Sequence, residues 1–194
     1  MRAAELVGQR TKDVRHRLSR LSTAVFLALF LIGIAGGAVE YARRSPAIAR
    51  HIAGSNAITI HLVLAIAAAA AAAVIQVRRA RRPAQQGRSP WAAPFSASAL
   101  ERLGRTIRFA DGLSSANVAR VIALVPLVLA LLYEPLRMGA QVTGGLDPNA
   151  TVNAWGGPTY AGALLAHWLD CLAGFYVAAF LLSRLLLPAA ADNR

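Results

Sequence analysis

Four segments of the chain, 23–40, 58–77, 118–136 and 159–183, are apolar over lengths of 18 to 25 residues. A helix needs about 20 such residues to cross ~30 Å of hydrocarbon, and inside lipid it satisfies its own backbone hydrogen bonds. These runs therefore predict an all-α integral membrane protein, a four-transmembrane-helix bundle forming a single membrane domain. The charge content agrees. Of the 194 residues 56% are hydrophobic and only 15% charged, against about a quarter charged in a soluble domain. Intrinsic disorder needs low hydrophobicity, and nucleic-acid binders spread Lys and Arg over a soluble face, so neither class fits.

The few charges are strongly one-signed, with 21 Lys+Arg against 9 Asp+Glu and a net charge of +12. Their placement explains the imbalance. The arm 1–22, the loop 78–116, Arg120, Arg184 and Arg194 carry 17 of the 21 basic residues, while only Arg43, Arg44, Arg50 and Arg137 fall on the other side. The positive-inside rule then puts both termini in the cytoplasm. Lys12 is the only lysine, and abundant Ala, Arg, Gly and Pro suggest GC-rich codons. A bacterial cytoplasmic (inner) membrane is the expected location.

Within this frame several local features stand out. Val7, Val14, Leu18 and Leu21 have helical spacing in the basic arm, consistent with a surface helix or with a solvated arm that orients the first span. The first span, with a basic leader and small residues at 35–38, is expected as an uncleaved anchor rather than a signal peptide. Gly33 and Gly37 in it form a GxxxG motif that permits close helix approach. The second contains an unbroken alanine run, Ala67 to Ala73, which favours helix but gains little from lipid.

The loop 78–116 opens with Arg78, Arg79, Arg81 and Arg82, and Trp91 and Phe95 suit interfacial anchors. Ser98 and Glu101 have capping-box spacing. The turns that follow place Leu100, Leu103 and Ile107 on one face and Arg102, Arg105 and Arg108 on another, predicting a short amphipathic surface helix near anionic lipid headgroups. Ser115 is the expected cap of the third span, Pro126 its kink, and Tyr133-Glu134-Pro135 its end. An outer loop, 137–158, should follow. Its Asn149-Ala150-Thr151 matches a glycosylation sequon, discounted for a bacterial source.

Chemistry can reside only in the ionisable groups of the spans, which are costly there. These are His61, His167 and Asp170, with Glu40 and Glu134 at the outer ends. Tyr160, Ala163, His167, Asp170 and Gly174 share one stripe of the fourth span, and His167 lies three residues from Asp170, within hydrogen-bonding reach. Asp170 falls ~16 Å along the helix from Thr159, near mid-bilayer. Proton handling or substrate binding is one reading of that pair, and a packing hydrogen bond is the other. Asn153, Trp155 and Tyr160 belong to the most distinctive string of the outer loop, either an aromatic-belt turn or a binding loop over the stripe. Cys171 is the single cysteine, so no internal disulfide forms. No Cys/His set has metal spacing, no P-loop, GxSxG or HExxH motif occurs, and no catalytic residue is assigned.

His61 followed by apolar residues and Arg78 to Pro83, with His167 followed by apolar residues and Arg184, loosely resembles the four-helix b-type cytochromes. That resemblance implies a haem held by His61 and His167. The first and third spans contain no histidine, Tyr176 occupies the position of a second one in the fourth, and the two histidines differ in depth by ~7 Å. No cofactor is therefore expected, with haem as an alternative. The expected function is a non-enzymatic accessory or assembly subunit of a membrane complex. The alternatives are a haem-binding electron-transfer protein and a small proton-coupled transporter. Expected partners are a bilayer with anionic lipids and other membrane subunits or further copies, and no nucleic acid.

Overall fold

The computed structural model describes residues 19–55, 58–80 and 96–187. These form six helices and no strand: α1 (Arg20–Ala42), α2 (Ile58–Ala80), α3 (Ala97–Ile107), α4 (Ser115–Gly144), the single-turn α5 (Pro148–Thr151) and α6 (Tyr160–Leu185). The surface-helix reading of residues 1–18, the arginines at 81, 82, 88 and 194, and the anchors Trp91 and Phe95 lie outside the described residues. Three helices, α1, α4 and α6, are long and apolar enough to cross a membrane. The segment expected as the second span is the helix α2.

The apolar side chains of these helices point outward. Leu31 is 61% exposed, Ile122 66%, Val177 59% and, on α2, Leu64 60%. So many exposed large apolar residues are foreign to a soluble monomer and are what a lipid-facing surface requires.

The chain divides into two compact units. The first comprises Met1–Val25, Gln86–Leu131 and Tyr176–Arg194. Its core is Leu124, Leu182 and Leu186, with Leu103, Leu127, Val128, Leu131 and Leu185 packed against them. A helix forms over Ala97–Ile107, but its cap is Ser96 and not Ser98. Ser96 has extended backbone angles (φ −75, ψ 161) and accepts from the Ala99 amide, the geometry of an N-cap, whereas Ser98 is already helical and shares a 2.8 Å hydrogen bond with the Ser96 hydroxyl.

The arginines of α3 do not line one solvent face. Arg102 turns inward, donating from Nε to the Leu187 carbonyl at 2.8 Å and from Nη2 to the carbonyls of Leu186 at 2.9 Å and Ser183 at 3.2 Å. The last carbonyls of a helix have no partner within it, and a cation there also meets the negative end of the helix dipole. Thr106, 2% exposed, completes this clamp by accepting from the Leu187 amide at 2.9 Å. Arg105 pairs with Asp111 at 3.2 Å, Arg108 is exposed, and Ile107, expected on the apolar face, is 52% exposed.

Two expectations about α4 are corrected. Ser114, not Ser115, caps it, accepting from the Asn117 amide at 3.2 Å. The helix also runs on past Tyr133-Glu134-Pro135 to Gly144, so residues 137–144 are helix rather than outer loop. A mid-helix proline removes one hydrogen bond and costs ~3 kcal/mol, which packing in the second unit offsets.

That second unit comprises Phe26–Gln85 and Leu132–Phe175. There Gly33 and Gly37 of α1 lie directly against α4: a Cβ on Gly33 would strike the Leu136 carbonyl, one on Gly37 the Ala140 carbonyl, and one on Gly139 the Phe30 carbonyl. The Thr143 hydroxyl donates to the Ile34 carbonyl at 2.6 Å. The GxxxG motif is thus the seam between α1 and the extended end of α4.

Candidate functional site: a polar cluster among apolar helices

All the singled-out residues lie in the second unit. The linker between α1 and α2 and the segment 145–158 are laced together by two asparagines. Asn149 accepts from the Ala49 amide at 2.7 Å and donates to the carbonyls of Ala47 at 3.1 Å and Ser45 at 3.4 Å. Asn153 accepts from the Ile52 amide at 2.8 Å and donates to the Arg50 carbonyl at 3.2 Å. His51 adds a bond from Nδ1 to the Val152 carbonyl at 2.8 Å. A planar amide carries both donors and an acceptor, so each asparagine satisfies several backbone groups that no regular structure would pair.

Trp155, two residues beyond Asn153, sets its ring 5.0 Å from that of His61. His61 is 5% exposed and holds the Asp170 carboxylate with Nε2, at 3.2 Å from one oxygen and 3.3 Å from the other. The contact needs one proton between the imidazole nitrogen and the carboxylate. Asp170 lies ten residues into α6 from Tyr160, ~15 Å along it, and its side chain is 34% exposed. The sequence spacing paired Asp170 with His167. In the structure its recorded partner is His61, whereas His167 donates from Nδ1 to the Ala163 carbonyl at 3.2 Å.

Glu134 sits in the interior course of α4, not at a span end. Its side chain is 13% exposed and lies over Gly174, where a Cβ would come within 2.7 Å of Oε1. Its Oε2 is buried with no hydrogen-bond partner, and the Arg137 guanidinium approaches that atom only to 3.9 Å. Tyr160 donates its hydroxyl to the Val142 carbonyl at 2.8 Å, and Trp168 donates to the Met138 carbonyl at 3.1 Å, both onto the part of α4 that was expected to be loop.

The ionisable side chains therefore come from three helices: His61 from α2, paired with Asp170 of α6, Glu134 beside Arg137 on α4, and His167 and Cys171 on α6. Spacing within α6 pointed to His167 and Asp170 but not to Arg137, counted as a loop residue once Pro135 was taken as the helix end. Asn149 was hidden behind its sequon. Among the described residues no group of three or more His, Cys, Asp or Glu is disposed to hold a metal ion. Nε2 of His61 is taken by the Asp170 carboxylate, and the imidazole ring lies against Trp155.

The chain matches no protein-family model, no curated protein and no solved structure.

Proposed function

We propose that the chain is a four-span protein of a bacterial cytoplasmic membrane with both termini in the cytoplasm, and a non-enzymatic accessory or assembly subunit of a larger membrane complex. The carrying observation is how the polar side chains are used. Asn149, Asn153, Trp155, Tyr160 and Arg102 all serve contacts between elements of this chain, while large apolar side chains face outward for lipid or for other helices. Positive-inside asymmetry supports the orientation, and the loop arginines, Arg108 among them, suit anionic headgroups. Extraction in mild detergent followed by sizing tests the reading: co-purifying membrane subunits or a defined oligomer support it, and a stable monomer without partners opposes it.

A second reading, a small proton-coupled transporter, is favoured by one observation, the partly exposed Asp170 carboxylate midway along an apolar helix. Its test is flux in proteoliposomes, where Asp170→Asn should abolish transport. The haem alternative is tested by a Soret band after haem-replete expression, whose absence would remove it.

A further inference from the structure

The inner face of α3 is taken up within the protein. Ala99 is buried, Leu103 packs against the core of the first unit, and Thr106 closes on Leu187. Two of its arginines are also engaged, Arg102 by the end of α6 and Arg105 by Asp111. What faces outward is the corner that joins α3 to α4. Phe109 (φ 51) and Gly112 (φ 91) turn the chain there in the left-handed region, and the Asn117 amide secures the turn by donating to the Gly112 carbonyl at 2.7 Å. Leu113, which ends the corner, is 79% exposed, and Ile107, which begins it, is exposed as well. The exposed Arg108 lays its guanidinium near Gly104. Arg120, in the second turn of α4, reaches back toward the corner and donates to Oδ1 of Asn117 at 2.7 Å. Among the described residues, neither Arg108 nor Arg120 has a carboxylate within ion-pair distance.

We propose that this corner is an interfacial anchor for anionic phospholipid of the surrounding bilayer. Ile107 and Leu113 enter the acyl boundary, and Arg108 and Arg120 bind the headgroup phosphates. Exposed aliphatic side chains set among unpaired cations suit a surface that is negative at one depth and apolar just below it, as a cytoplasmic leaflet is. A guanidinium offers a phosphate two parallel N–H bonds. Arg120 also extends toward the start of its helix, the direction in which an arginine near a span end reaches the headgroups. Leu113 stands two residues ahead of α4, whose Val118 and Ile122 are apolar and exposed, so the corner continues the surface read as lipid-facing. The inference rests on the reading of α4 as a membrane span and deepens the partner reading by naming the lipid class and the residues that select it. Recovery of the chain in the aqueous fraction would remove the span reading, whereas contact at the corner is measured on protein already held in a bilayer.

Ala110, exposed within the corner, is the place for a reporter. The full-length chain carrying Cys171→Ala and Ala110→Cys is labelled with a fluorophore and reconstituted in phosphatidylcholine nanodiscs. These contain the same small fraction of either doxyl-labelled phosphatidylglycerol or doxyl-labelled phosphatidylcholine. Both should quench, phosphatidylglycerol by about twofold or more over phosphatidylcholine, because each arginine near the surface enriches anionic lipid. Arg108→Gln with Arg120→Gln should equalise the two lipids, and high salt should weaken the preference. Ile107→Ser with Leu113→Ser should lower quenching by both. Native mass spectrometry of the unlabelled chain from mixed nanodiscs is the second measurement, and it decides the matter if circular dichroism shows that the labelled chain fails to fold. There the double arginine variant should retain fewer phosphatidylglycerol molecules than the wild type, and an equal number opposes the proposal. Three quenching results overturn it: none by either lipid, which leaves the corner in water or beneath a protein; equal quenching by both with the arginines in place; or a preference that the arginine substitutions leave unchanged.

Discussion

His61 and Asp170 are 109 positions apart in the chain, and their side chains meet at 3.2 Å. The bond ties α2 to α6, and Trp155 closes over it. Truncating either partner leaves the other without its bond in apolar surroundings, which costs about 1–3 kcal/mol in protein interiors, although hydrogen bonds inside membranes average nearer ~0.6 kcal/mol. His61→Leu and Asp170→Leu are each expected to lower the unfolding midpoint in detergent. The double variant should lose less than the sum, and strict additivity in that cycle would show that the contact contributes nothing.

The glycine seam gives a position-specific expectation. Gly33→Val and Gly37→Val place a side chain directly on α4 carbonyls and should destabilise by about 1–3 kcal/mol or separate the helices. A Cβ on Gly36 meets nothing within 4 Å, so Gly36→Ala should be neutral or slightly stabilising through helix propensity. Thermal melting of the three variants distinguishes a seam from a general intolerance of substitution in α1.

Asn149→Ala and Asn153→Ala each remove several bonds from backbone groups of the 43–55 linker. That linker should become cleavable by limited proteolysis while the circular dichroism of the helices stays unchanged. Stability is expected to fall by about 1–2 kcal/mol per variant. Unaltered protection of the linker would mean that the backbone contacts hold without the amides.

Arg102→Lys should fail to replace the wild type. An ammonium is a point charge on a flexible stem, whereas the guanidinium presents a fixed fork that reaches three carbonyls at once here. Faster amide exchange over the last turn of α6 and a loss of about 1 kcal/mol are expected. Ser96→Ala should cost a similar ~1 kcal/mol through its lost cap, visible as fraying of α3.

The helices were legible because their signals are local. Apolar runs located α1, α2, α4 and α6 to within a few residues at nearly every end, and the pattern 100–108 located α3. The one large error was the end of α4. Pro135 carries a real local penalty, but Leu136 to Gly144 pack on α1 through Gly139 and Ala140, and no window around Pro135 contains that contact. The same error left Arg137 out of the candidate site. The caps Ser96 and Ser114 were each missed by one or two positions because neighbouring serines offer equivalent hydroxyls, and only backbone angles distinguish a cap from a first helical residue.

What the amino-acid sequence determined on its own was the class of molecule. Helix periodicity, apolar length and the placement of basic residues are properties of short windows, and they sum without reference to distant contacts. Tertiary structure decided the partners. His61 joins Asp170 rather than leaving it to His167, Arg102 closes the end of α6 instead of facing solvent, and Glu134 is enclosed with a poorly satisfied carboxyl. Each outcome follows from which helix faces lie together, because a hydrogen bond requires a donor and acceptor within about 3 Å, and for residues far apart in the chain only packing sets that distance.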